Sequence, residues 1–182
     1  MSFTEDTEAS KKSSEDEYGK SSCRQNYSKE CEAAVNEQIN LEMHSSYVFL
    51  SMSCHKYDDV IVYDVTVPGL NEFLLNQSDV SILHAQMLIQ YQRDRGGHIV
   101  LHDIKKPERD SWGTGLEACE AALAMAKQIN GTLLDLRRVA EKNGDSHMMD
   151  FINDSLLQKQ AESINALSGF VTKLKRVTKG TW

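Results

Sequence analysis

The 182-residue chain predicts an all-α fold, a bundle of four long helices. Composition points there first: two prolines, ten glycines, few aromatic residues and an abundance of Ala, Leu, Glu, Lys and Gln favour helix over sheet. Periodicity agrees, because four stretches of about 25 to 30 residues carry apolar positions at alternating steps of three and four. Breakers fall between them, at Pro68-Gly69, Gly96-Gly97 and Asn143-Gly144. A chain of this size fits one domain that buries a substantial core without disulfides or metal to hold it.

Residues 1–22, MSFTEDTEASKKSSEDEYGKSS, are acidic and serine-rich and offer almost nothing to bury, so they read as a disordered tail. The first helix is expected from about Ser28 to Tyr57, with the seam Val35, Ile39, Glu42, Ser46, Phe49 and Ser53. Glu42 is a carboxylate inside an apolar stripe, and a charge there needs a partner. Residues 58–69 are β-branched and close on Pro-Gly, which reads as an extended hydrophobic turn. The second helix, Leu70 to Arg95, has the seam Leu70, Leu74, Gln77, Ser81, His84, Leu88 and Tyr91. Residues 98–111 show no helical period. The third helix, Gly113 to Lys142, aligns Leu116, Glu120, Leu123, Lys127, Asn130 and Leu134. The fourth, Ser146 to Val177, aligns Met149, Ile152, Leu156, Gln160, Ser163, Leu167, Phe170 and Leu174, and 178–182 form a short tail.

The net charge of −7 disfavours nonspecific binding to nucleic acid or anionic membrane and suits attraction of cations. Cys23, Cys31, Cys54 and Cys119 form no C-x-x-C pair and no zinc spacing, so reduced thiols are expected. No run of about eighteen apolar residues occurs, and no signal-like segment follows Met1. A soluble, cytoplasmic protein is the expectation.

RQNY at 24–27, EAAVNEQINLE at 32–42, SSYVFLSM at 45–52, QRDRGG at 92–97, HDIKKPERDSWGTGLEA at 102–118 and DFI at 150–152 together resemble an animal ferritin of the heavy-chain type, over residues 22–177. The resemblance implies a ferritin-like four-helix bundle in which 98–111 is a long crossover that makes the second and third helices parallel. It also implies an iron-storage subunit, with Fe2+ and Fe3+ as its ions. Glu42, His84, Glu120 and Gln160, one from each helix, correspond on this reading to the ligands of a mid-bundle ferroxidase centre. Carboxylate and imidazole are ligands that ferrous iron accepts, and two irons about 3.5–4 Å apart can pass electrons jointly to dioxygen.

Several positions depart from the family pattern. Ser81 replaces the bridging glutamate of Glu-x-x-His, Val80 an adjacent carboxylate, Phe49 a tyrosine near the site, and Lys159 an acidic residue beside Gln160. Two divalent ions about 4 Å apart repel by roughly 16 kcal/mol at an effective dielectric near 20, and Glu42 with Glu120 supplies two negative charges against four positive. A degraded ferroxidase centre is therefore expected, with activity weak or lost and room for a single weakly held metal. A working ferroxidase and a metal-independent structural protein are the alternatives. The helix face that usually carries nucleating carboxylates reads Val80, Leu83 and Gln86, and of the two acidic residues of the three-fold channel only Asp150 matches, with Asn153 at the second position. A fifth C-terminal helix is not expected. The resemblance implies assembly at least to a dimer through the outer faces of the first two helices. A twenty-four-subunit shell, alone or with complete ferritin subunits, is the larger assembly it implies.

Overall fold

A computed structural model describes residues 21–57 and 69–179. The tail read at 1–22, the turn at 58–69 and the end at 178–182 lie outside these residues except at their inner edges. Helix α1, Lys29–Ser53, starts where the Ser28 side chain accepts the Cys31 amide, with Glu30 and Glu32 in the first turn. It stops four residues short of the expected Tyr57, because His55 N–H bonds Met52 O (3.2 Å) in a closing turn and the Tyr57 hydroxyl folds back to the same carbonyl (2.7 Å). Helix α2, Leu70–Asp94, begins after Gly69 and is followed by Arg95 and Gly96, whose φ of +69° turns the chain at little cost only for glycine.

Helix α3, Gly115–Lys142, opens with a capping box between Thr114 and Glu117. The Thr114 backbone N–H holds the Glu117 carboxyl below the usual carboxylate range. Helix α4, Ser146–Ile152, is capped by Asp145 and passes through a π-helical turn, Asn153–Leu157, into helix α5, Gln158–Thr178. These three segments make one rod, the fourth of the bundle.

Hydrogen bonds fix the directions of the rods. Asn71 Nδ2 donates to Ser53 O (2.6 Å), Ser78 Oγ to Ser46 O (2.8 Å) and Gln92 Nε2 to Glu32 O (2.9 Å), so α2 runs antiparallel to α1. The connection then travels back along α1: Asn36 Nδ2 donates to His98 O, Asn40 Nδ2 to His102 O and Asp103 O, and His44 Nδ1 lies 3.0 Å from Lys105 O. At its far end Trp112 Nε1 donates to Ser51 Oγ (3.0 Å). Helix α3 starts there and finishes beside Glu30, where Lys142 Nζ is 2.7 Å from Glu30 Oε1. It therefore lies parallel to α2, as the crossover requires. The fourth rod returns along α3, with Lys175 near its end meeting Glu120 near the start of α3.

The core lies between the four rods. On α1 and α2 the buried faces follow the expected seams, including Val35, Ile39, Glu42 and Phe49 opposite Leu74, Ser81, His84 and Leu88. On α3 the seam differs from the one expected. Ala118, Cys119, Ala122, Ala126, Ile129, Leu133, Leu136 and Ala140 are buried, while Glu120, Lys127 and Leu134 are exposed. Four of these eight residues are alanines, and the bulkier Leu116, Leu123 and Leu134 lie off the stripe, so a reading weighted by side-chain size selects the wrong face. Small residues there let α3 approach its neighbours closely.

One end of the bundle is tied by polar groups. Gln92, fully buried, donates to Glu32 O, Asn36 Oδ1 and His98 O, and accepts from the Tyr27 hydroxyl. Beside it Arg95 forks onto both oxygens of Asp145 (3.0 and 2.8 Å), donates to Asn26 O and Tyr91 OH, and lies over the Tyr27 ring. Asp145 in turn caps α4 through Met148 N. Tyr91 stacks on Phe151 with ring centroids 4.2 Å apart.

Gln92→Leu keeps the volume but leaves a cluster of buried acceptors without their donor; unfolding in urea should show a loss of about 3 kcal/mol, and a loss below 1 kcal/mol contradicts the role given to Gln92. Burial pushes the Tyr91 hydroxyl up to about 12. The folded state thus keeps a proton that the unfolded chain releases near pH 10, so this contribution to stability is complete below about pH 10 and is lost as pH rises towards 12. Melting curves of the natural protein and Tyr91→Phe should converge across that window, since only the former carries the group.

Candidate metal centre

Glu42 projects from the middle of α1 into the core and is entirely inaccessible to solvent. The helical period puts it there: Ile39 and Phe49 flank it on the same face, and both are buried. One carboxylate oxygen, Oε1, accepts from Gln38 Nε2 (3.1 Å), one turn earlier on α1. The same oxygen lies 3.8 Å from Nδ1 of His84 on α2. The other, Oε2, has no hydrogen-bond partner, alone in this respect among buried side-chain polar atoms of the described residues. An acceptor left unpaired in a core costs about 1–3 kcal/mol, more when charged, and a carboxylate with a bare oxygen beside an imidazole is chemically suited to a cation.

Ser81 sits one turn before His84 on the same buried face of α2. From the fourth rod Gln160, also buried, donates Nε2 to Ala126 O of α3 (2.7 Å). At this level α3 therefore contributes a methyl group and a main-chain carbonyl. Phe49 is buried next to the site and Val80 half-buried beside Ser81.

Glu120 corrects the expected ligand set. It is exposed and pairs with Lys175 across α3 and α5 at 2.7 Å. Two residues separate it from Ala118 and from Ala122, a rotation of about 200° about the helix axis, so it cannot share their face. Lys159 is likewise outside the core, paired with Glu162 at 3.0 Å, and adds no charge to the interior. Asp150 is exposed on α4 and Asn153 half-buried where the π-helical turn starts.

What the structure brings together is thus Glu42, His84 and, at the same level, Gln38, Ser81 and the Gln160–Ala126 bond. Glu42 and His84 are one carboxylate and one imidazole, ligand types that a divalent first-row ion accepts. No group of three or more His, Cys, Asp or Glu side chains suited to a metal occurs among the described residues. Sequence reasoning passed over Gln38, although its i, i+4 spacing to Glu42 is the signal that finds it. It also passed over Ala126, which no residue-type rule singles out.

The family model described as ferritin-like domain matches residues 32–177. The chain is 46% identical over 160 residues to the soma ferritin of Lymnaea stagnalis, an alignment covering 88% of this chain and 90% of that protein. It is 45% identical over 158 residues to the ferritin-1 heavy chain of Schistosoma mansoni, covering 87% and 89% respectively. The ferritin heavy chain of Echinococcus granulosus is similar at 45% identity over 157 residues, with 86% and 88% covered.

A buried charge with an unpaired oxygen destabilises the metal-free fold. Glu42→Gln keeps the shape and the Gln38 bond while removing the charge, and in the presence of chelator it should raise stability by about 1–3 kcal/mol. Thermal melts check this: a lower melting temperature for the variant without metal contradicts the account. Added Mn2+ or Co2+ should raise the melting temperature of the natural protein and leave Glu42→Gln unchanged.

Proposed function

The chain belongs to the ferritin family, and from that premise we propose that it is an iron-storage subunit whose mid-bundle site is a reduced ferroxidase centre holding one metal ion on Glu42 and His84. The observation that carries the reading is the buried Glu42 carboxylate, with one oxygen unpaired and the His84 imidazole beside it. That pair is the remnant of a richer ligand set. Ser81 occupies the turn that would bridge two ions, Ala126 faces the site from α3, and Glu120 is turned outward to Lys175.

Charge supports a single ion over two. With Glu120 outside, one buried carboxylate would face four positive charges, and the roughly 16 kcal/mol of repulsion between two divalent ions about 4 Å apart at a dielectric near 20 is left largely uncompensated. One divalent ion on Glu42 and His84, completed by water or amide oxygens, carries no such penalty. Ferrous iron bound this way lacks a neighbour with which to share the reduction of dioxygen, so oxidation is slow. The role that follows is to bind and pass iron, and to contribute to or modify a shell, rather than to drive mineral formation.

Assembly at least to pairs is part of the proposal. Tyr47 and Leu50 on α1, Leu75 and Ile82 on α2, and Val100, Leu101 and Ile104 on the crossover are exposed apolar residues, which suits association with further subunits. No helix of the described residues is long and apolar enough to cross a membrane. We place the protein in the cytoplasm, with no nucleic acid or membrane partner.

Ser81→Glu adds a ligand and a compensating charge one turn from His84. Aerobic ferrous oxidation should rise about tenfold or more, and further when Ala126→Glu is added from α3. A natural protein that already oxidises iron as fast as a competent heavy-chain ferritin overturns the reading.

A further inference from the structure

A cleft of about 270 Å³ opens between α1 and α3, lined on α1 by Ala34, Glu37, Gln38 and Leu41 and on α3 by Thr132 and Asp135 among others. Glu37 and Asp135 are exposed, one on each helix, whereas Gln38 is buried at 3% exposure. Gln38 therefore belongs to two places. Its side chain lines the cleft, and its amide nitrogen is bonded to Oε1 of Glu42 behind it. Gln38 thus links a cleft with an acidic residue on each wall to a fully buried carboxylate whose second oxygen has no partner.

We propose that this cleft is the route by which a divalent cation reaches Glu42, with Gln38 as the movable group at its inner end. The inference rests on the reading of Glu42 and His84 as a metal site. Carboxylates at the mouth raise the local concentration of cations and speed association, an effect that salt screens. Asp135 also meets Arg138 on its own helix, but an exposed pair of this kind holds its partners loosely. Gln38 carries both an amide nitrogen and an amide oxygen, so a rotation of the terminal amide releases Glu42 Oε1 and turns an oxygen towards the arriving ion. The side chain thus bonds the carboxylate while the site is empty of cation and becomes a neutral oxygen donor as the cation passes.

Steric closure and charge removal test the route separately. Co2+ is mixed with the full-length protein under argon and its visible absorption is followed by stopped flow, with Glu42→Gln as the control that reports the site. Thr132→Trp narrows the mouth, and should slow binding and release together by about tenfold while the dissociation constant stays within about twofold, as expected of a gate rather than a ligand. The pair Glu37→Gln and Asp135→Asn should slow association several-fold at low salt and remove most of its salt dependence. Association rates unchanged in both proteins overturn the route while leaving the metal site standing. Should the natural protein show no Co2+ signal that Glu42→Gln abolishes, the metal-site reading itself fails, and the route with it.

Discussion

Every peptide group between the end of α2 and the start of α3 must find a hydrogen-bond partner or water, and the way α1 meets that demand sets the topology. Asn36, Asn40 and His44 recur every four residues, with Ser51 about two turns further on, and all reach the crossover: the first three meet main-chain carbonyls, and Ser51 accepts the indole of Trp112. This polar stripe acts as a rail. It carries the chain from the Gln92 end of the bundle to the Ser51 end, so α3 starts at the same end as α2. Only with that order do α1, α2, α3 and the fourth rod bring Glu42, His84, Ala126 and Gln160 to one level.

The fold was legible in the sequence because most of its determinants are local. Breakers and caps bound the helices, and the seams of α1 and α2 contain Ile, Leu, Phe and Val at positions that leave no ambiguity of phase. The third helix was not legible in this way. Its buried face mixes four alanines, which suit either side of a helix, with Cys119, Ile129, Leu133 and Leu136, while Leu116, Leu123 and Leu134 draw the eye to a different stripe. Glu120 was carried into the site by that error of phase. The π-helical turn at Asn153–Leu157 has no signature in residue type, and the rail on α1 reads from sequence as an ordinary solvated polar face until the crossover is seen lying on it.

Within the site the legible part was the anomaly. A carboxylate at Glu42 among apolar neighbours, and an imidazole at His84 in the seam of α2, break the rule that cores are apolar, and both lie where the breaks predict. Such breaks persist where they serve something other than stability. What could not be read was the surrounding chemistry, since Gln38 matters through its bond to Glu42, and Ala126 through the main-chain carbonyl that holds Gln160.

The rail also divides the molecule by mechanical independence. Helical backbone bonds cooperate, so a helix opens in whole turns, but the described bonds from α1 to the crossover come from separate side chains about a turn apart rather than from a continuous backbone ladder. Residues 98–106 thus form the natural unit of sub-global unfolding: their amides should exchange with solvent through openings that cost far less than unfolding the bundle, beginning between Val100 and Ile104, where apolar side chains already face outward. The four rods can remain packed while the strap that defines their order lifts away, so the connectivity of the fold is set by a segment that opens independently of the packing it directs.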